Sequence, residues 1–327
     1  MNRRFASLCA ALLAAAFVQP SLGAEFRPAK PECVAGAKPG GGFDLTCRLA
    51  AQALHEFKLI AEPMRVTYLP GGIGAVAYNT MITQRADDAN AIVAFSAGSS
   101  LNIAQGKFGK YDENAVRWLA VIGTDFGAIM VRKDSPYKSL KELMAALKAD
   151  PSKVVFGAGG TIGSQDWMKA AMIAKQAGVD PRSMRYVAFE GGGAAITALL
   201  GGHVQAVSGD ASESIGQMEG GAIRVLAVLS ERRLPGKLAA VPTAREQGYD
   251  VVWPTYRGFY LAPKVTDEQY NAWVGLFDRI LANPGYAKLR DQRGLFEFAK
   301  TGKDAEAFVK KSVAGYRDLA REAGLLK

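Results

Sequence analysis

The chain has 327 residues, 49% hydrophobic and 22% charged, and 40 Lys+Arg against 31 Asp+Glu give it a net charge of +9. That balance is the balance of a globular protein and excludes a disordered, fibrous or disulfide-dense chain. Two histidines and three cysteines leave little material for a multi-ligand metal centre or a histidine relay, so no metal and no cofactor are expected.

The N-terminus has the form of a secretory leader. Arg3 and Arg4 precede an Ala/Leu-rich run over 5–18, and small residues follow at Ser21 and Gly23. The apolar run is too short to span a bilayer, which needs about 20 residues. Cleavage is placed after Gly23, which makes the protein periplasmic and lowers the net charge to +7 (38 Lys+Arg against 31 Asp+Glu). Cys9 leaves with the leader. Cys33 and Cys47 remain, and an oxidising compartment permits a disulfide between them.

In the mature chain, short apolar runs alternate with amphipathic helical patterns. This alternation predicts an α/β fold of mainly parallel sheets, and the length suits two domains. Strands are expected at 32–37, 64–69, 91–95, 128–132, 153–157, 183–189, 204–207, 223–229 and 257–261. Ser139 and Glu142 form a capping box ahead of Leu140, Leu143, Met144 and Leu147, which share one helical face. Thr266 and Gln269 open another helix, with Tyr270, Trp273, Val274 and Phe277 on its stripe and Asn283-Pro284 as its stop. Thr301 with Asp304 opens a last helix, predicted to run to Gly324.

Glycine is enriched, at 36 residues, and it clusters at the ends of the predicted strands. Pro39-Gly40-Gly41-Gly42-Phe43-Asp44 follows the first strand, and Pro70-Gly71-Gly72-Ile73-Gly74 the second. The loop 157–164 contains Thr161, Ile162, Gly163 and Ser164. Glu190 precedes three glycines, and Asp210 ends the run Ser208-Gly209-Asp210. A sixth loop carries Ser96, Ser99 and Ser100. Glycine lets backbone N–H groups approach a ligand closely. Helix N-termini supply unpaired N–H groups that suit an anion. Ligands of open α/β sheets lie outside the carboxyl ends of the strands. The six loops therefore predict a small-anion cradle built mostly from backbone. Asp44 is read as the N-cap of its helix or else a ligand contact. Asp210 and Glu190 are ligand contacts or loop anchors. Arg257 either pairs with a ligand carboxylate or lies on the surface.

No loop matches a dinucleotide or phosphate-loop fingerprint, and there is no G-x-S-x-G nucleophile elbow. A Ser164/His203/Asp210 relay can be written, but the spacing does not support it. Lys and Arg are spread rather than clustered among aromatics, which argues against nucleic acid.

The order and spacing of these segments resemble the periplasmic solute-binding proteins of tripartite tricarboxylate transporters, the Bug/TctC family. The resemblance runs through Phe156-Gly-Ala-Gly-Gly-Thr-Ile-Gly-Ser164, Leu226-Ala-Val-Leu-Ser-Glu-Arg232, Val241-Pro-Thr-Ala-Arg-Glu-Gln-Gly248 and Gly258-Phe-Tyr-Leu-Ala-Pro263. The stretch 32–47 is most like the tricarboxylate-binding branch, where two such cysteines are paired. The resemblance implies two α/β domains, 24–128 with 259–327 and 129–258, joined by two crossing strands near 128–132 and 257–261. It implies no catalysis. A small citrate-like tri- or dicarboxylate would sit between the domains, held by Gly40, Gly41, Gly42, Gly72 and Gly74 on one side and by 161–164 and 208–210 on the other. The implied partners are the membrane permease subunits of such a transporter, with a sensor kinase as the alternative. Tyr256-Arg257 departs from the family pattern, in which an aromatic residue directly precedes Gly258.

Overall fold

The computed structural model describes residues 26–322, Gly324 and Leu326. The expected leader, 1–23, lies outside the described residues. Three strand–helix pairs open the fold: β1 (Glu32–Ala35) and α1 (Gly42–Glu56), β2 (Arg65–Tyr68) and α2 (Ala75–Thr83), β3 (Ala91–Ser96) and α3 (Ala97–Ala104). The sixteen-residue β4 (Arg117–Arg132) carries the chain onward. Next come α4 (Leu140–Ala149), β5 (Val155–Gly159), α5 (Gln165–Gln176), β6 (Arg185–Phe189), α6 (Gly192–Leu200), β7 (Ala206–Asp210), α7 (Ala211–Glu219) and β8 (Ile223–Leu229). The chain returns along β9 (Pro254–Leu261) and ends with α8 (Asp267–Ala282), α9 (Pro284–Gln292), β10 (Lys300–Thr301) and α10 (Gly302–Glu322).

Outer strands pair in parallel, as the alternation predicts: β1 with β2 and β3, and β5 with β6 and β7. The strands between them are antiparallel. Residues 117–126 of β4 pair with β9, whose other edge pairs with β3. Residues 127–132 of the same strand pair with β7 and β8. One strand thus belongs to both sheets. The apolar cores follow the same split. One cluster gathers buried residues of 33–122 and 256–313, including Trp118, Phe259 and Trp273. Two others flank the second sheet, drawn from 128–253 apart from Leu101.

Several boundaries differ from the expected ones. β4 begins at Arg117 rather than near 128; Gly123, Thr124 and Asp125 interrupt its apolar pattern and hide its first part. β5 and β7 run two and three residues further than predicted, so Gly159 and Asp210 end strands. Asn283-Pro284 stops α8 and also starts α9. Asn283 Oδ1 accepts the Gly285 N–H at 2.9 Å, and proline occupies the first helical turn, where its missing N–H costs nothing.

Cys33 and Cys47 are disulfide-bonded, with Cα atoms 5.5 Å apart. The bond ties the middle of β1 to the second turn of α1 and brackets the 36–41 loop. Both residues are fully buried. In the chain-entropy account a loop of about 15 residues is worth about 3 kcal/mol. The Cys33→Ser/Cys47→Ser double variant is expected to lose stability of that order, read as a lower urea midpoint. An unchanged midpoint would show that the bond constrains nothing.

Candidate functional site

The carboxyl ends of β1, β3, β5, β6 and β7 face one cleft, and each is followed by a helix whose N-terminus points into it. Helices α3 and α5 have side-chain caps. Ser96 Oγ accepts the Gly98 N–H at 3.2 Å, and Ser164 Oγ accepts the Trp167 N–H at 3.4 Å. Helices α1 and α6 begin at Gly41 and Gly191 with no side-chain cap. These two approach each other across the cleft so closely that a Cβ on Gly193 would lie 2.6 Å from the Gly40 carbonyl carbon. Their first N–H groups carry the partial positive charge of a helix end. The arrangement can hold an anion by backbone alone.

The cleft is closed over an inner chamber of about 40 Å³. Among the described residues, four polar contacts cross it. The Lys38 N–H donates to Glu190 O at 3.3 Å, and the Gly42 N–H to Glu213 Oε1 at 2.5 Å. Gln105 Nε2 donates to Gly163 O at 2.9 Å and Lys107 Nζ to Ile162 O at 3.0 Å. An outer chamber of about 370 Å³ continues toward solvent past Ile73 and Asn102.

The floor is a buried chain of ions. Arg257 Nη2 donates to Asp125 Oδ2 at 2.7 Å and to Asp210 Oδ2 at 2.8 Å. Lys169 Nζ donates to Asp210 Oδ1 at 2.5 Å and to Asp166 Oδ1 at 2.8 Å. Arg257 is 2% exposed and Lys169 0%. Burial alone would raise the carboxyl of Asp210, but Lys169 and Arg257 outweigh it and hold it below the ordinary aspartate value. Burial dominates at Asp125 and Asp166, whose carboxyls are raised despite their cationic partners. Glu213 is pushed up to about 8, first by burial and then by the neighbouring Asp210.

The expected site residues fall into three groups. Gly41, Gly42, Phe43, Ile73, Ser96, Ser164, Asp210 and Arg257 line the inner chamber. Gly72, Thr161 and Glu190 line only the outer one. Ile73 touches both and holds a left-handed backbone at φ 51°, an uncommon state for a β-branched residue. Pro39, Gly40, Asp44, Gly74, Ser99, Ser100, Ile162 and Gly163 line neither. Ser100 Oγ instead accepts the Tyr256 hydroxyl at 2.7 Å, and Ser99 Oγ accepts the Ser96 N–H at 3.3 Å. Ile162 projects outward, 60% exposed.

Two readings need correction. Asp44 is not the N-cap of α1, which is Gly41. It sits in the first turn and accepts from the Gly40 N–H at 2.9 Å, Arg48 at 2.7 Å and Tyr68 at 2.8 Å, which leaves it engaged within its own sheet. Arg257 is not a surface residue, and its Nη2 and Nε already serve aspartates. His203 is exposed and outside both chambers, so Ser164 and Asp210 have no imidazole between them.

Sequence reasoning missed Asn102, Gln165, Asp166, Lys169, Glu213 and Asp125. Asp166 and Lys169 are an i, i+3 pair in the first two turns of α5, a pattern indistinguishable from a solvated helix pair until burial is known. Gly42 must be glycine, since a Cβ there would lie 1.9 Å from Arg257 Nη1.

Removing Arg257 leaves two buried carboxylates without their shared cation, which costs about 3–5 kcal/mol. The Arg257→Ala variant is expected to lose that much in chemical denaturation; a loss under about 1 kcal/mol, the worth of an exposed pair, would contradict the buried network. Glu213 is raised in the folded protein, so the fold binds the extra proton. The stability this gives is full below about 4.5, the unfolded value, and is lost as pH rises toward about 8. Wild-type stability minus that of Glu213→Gln is therefore expected to fall across this window. A flat difference in pH-dependent melts would refute it.

The sequence profile described as tripartite tricarboxylate transporter family receptor matches residues 48–325. The chain is 23% identical to BugT of Bordetella pertussis over 98% of each chain. Malate-bound MatC of Rhodopseudomonas palustris superposes with a TM-score of 0.74 at 17% identity, over 89% of this chain and 98% of that one. An adipate-bound R. palustris protein gives 0.77 at 19% identity, over 90% and 97%. The fold is that of periplasmic binding proteins, and the family is made of solute-binding receptors rather than enzymes. On the match over 48–325, this chain belongs to the TctC family of tripartite tricarboxylate transporter receptors.

Proposed function

We propose that this receptor captures a small organic acid in the periplasm, holds a carboxylate between the N-termini of α1 and α6, and delivers it to the permease subunits of a tripartite tricarboxylate transporter. The observation that carries this reading is the pair of uncapped, glycine-started helices facing each other across the cleft. The malate and adipate held by structural relatives support a carboxylate ligand. Citrate-like tri- and dicarboxylates head the candidates because 32–47 resembles the tricarboxylate branch and the family takes its name from such acids. Backbone donors read a carboxylate and not the remainder of the molecule, so the panel below decides among acids.

The working division is 24–128 with 259–327 against 129–258. The ligand docks on the first half, and the second closes over it. Gly193 lies against the first half across the cleft, and the space a Cβ would take there is filled by Gly40 and Gly41. Closure of this kind around a ligand is common to hinge-bending receptors.

A thermal-shift panel of citrate, malate, succinate, adipate and glutamate on refolded, ligand-stripped protein tests the reading. Acid at 100 times its dissociation constant adds about 2.7 kcal/mol, and the melting midpoint rises by several degrees. Gly193→Val is expected to fold, seen as an unchanged far-ultraviolet circular dichroism spectrum, and to lose the shift, since the side chain props the cleft open. No shift with any acid, or a full shift in Gly193→Val, would count against capture by closure.

A further inference from the structure

A carboxyl group already occupies the place where the two uncapped helices meet. Glu213 stands in the first turn of α7, and its Oε1 accepts the Gly42 N–H at the start of α1, 2.5 Å away. Its Oε2 accepts the Asp210 N–H at 3.4 Å. Glu213 also fills the space in front of α6, because a Cβ on Gly192 would lie 2.0 Å from Oε2. The chamber beside it, about 40 Å³, has room for water and none for an organic acid.

A second observation points to a ligand. Asn102 lines the same chamber, is 4% exposed, and its Oδ1 has no partner. Gln165 also lines it. Its Nε2 donates to Asp210 Oδ2 at 3.4 Å, which leaves a buried Oε1 equally unpartnered. Buried amide oxygens are normally paired. The chamber thus has polar groups that Glu213 does not satisfy.

We propose that Glu213 sets the affinity threshold of the cleft as an internal stand-in for the ligand's carboxylate, filling the α1/α6 seat until the ligand displaces it. The proposal rests on the carboxylate-receptor reading above. An intramolecular competitor acts at high effective concentration. It weakens every carboxylate by the same factor, so a simple monoacid with nothing else to offer is excluded. An acid that also satisfies Asn102 and Gln165 gains contacts that the competitor lacks. The charged groups packed about Glu213 are Asp210 at the foot of α7, Asp166 and Lys169 of α5, Asp125 of β4 and Arg257 of β9. With Glu213 they make four carboxyls against two cations. Rising pH therefore ionises Glu213 in a buried seat beside an excess of negative charge, which weakens its hold there and eases its displacement.

Acetate is the probe, titrated by thermal shift against chloride at matched ionic strength, on the wild type, Glu213→Ala and Glu213→Gln. Glu213→Ala is expected to respond at acetate concentrations lower by about tenfold or more, and Glu213→Gln in the same direction by less. The wild-type response is expected to strengthen from pH 6 to pH 9 and that of Glu213→Ala to change less. Equal or poorer acetate response in both variants overturns the proposal. So does failure of both to fold, since an optional occupant is dispensable to the fold. If organic acids stabilise the wild type while the variants gain nothing toward acetate, the stand-in falls and the receptor reading survives. If Glu213→Ala gains acetate while no organic acid stabilises any of the proteins, the stand-in survives and the receptor reading falls.

Discussion

The buried guanidinium of Arg257 is the constraint around which the cleft is arranged. It comes from β9, in the first sheet, and grips Asp125 of β4 and Asp210 at the end of β7. Lys169 extends the chain from Asp210 to Asp166. Ions so deep lose their hydration, and only complete pairing offsets that loss. The geometry is correspondingly demanding. Gly42 has no side chain because Arg257 Nη1 occupies its position, and Gly258 has none because a Cβ would lie 2.1 Å from Ala120 O. A cation suited to meeting the ligand instead holds the two sheets in register beneath it.

That arrangement hands recognition to the backbone. Ser96 and Ser164 cap α3 and α5, which removes two of the helix ends as anion sites. The ends of α1 and α6 have no side-chain cap of their own because glycine occupies their cap positions. The disulfide from β1 to α1 and the engagement of the Gly40 N–H by Asp44 fix the loop that carries the first of them. Asp44 looks like a binding residue in the sequence and acts one step back, holding the shape of the loop.

Much of this was legible in the sequence. Glycine clusters mark strand ends, and Gly41, Gly42, Gly159, Gly191 and Gly192 at those ends line the inner chamber. Thr266 with Gln269 forms the predicted capping box. Ser139 caps its helix as the spacing predicts, although Glu142 accepts from the Lys138 N–H rather than from Ser139. What stayed hidden depended on tertiary burial. Glu213 at the third helical position reads as half of a local capping box, which it also is. Nothing within its own segment announces Gly42, 171 positions away. Asp125 sits in a strand whose polar interruptions masked the strand itself. Arg257 could be assigned neither to surface nor to ligand until its two aspartates were in place.

The sharing of β4 by both sheets has a mechanical consequence. Its change of partners falls at Phe126 and Gly127, beside the return crossing, where the Gly127 N–H donates to Trp253 O at 2.9 Å. A rotation of the proposed halves would have its axle there. Points near an axle travel short arcs, and points far from it travel long ones. The Arg257 pairs lie one strand away from that axle and can persist through a swing that breaks the rim contacts of Lys38 with Glu190 and of Lys107 with Ile162. The fold would then work as a lever with a fixed fulcrum, in which a small change of angle at β4 becomes a wide gate at the mouth.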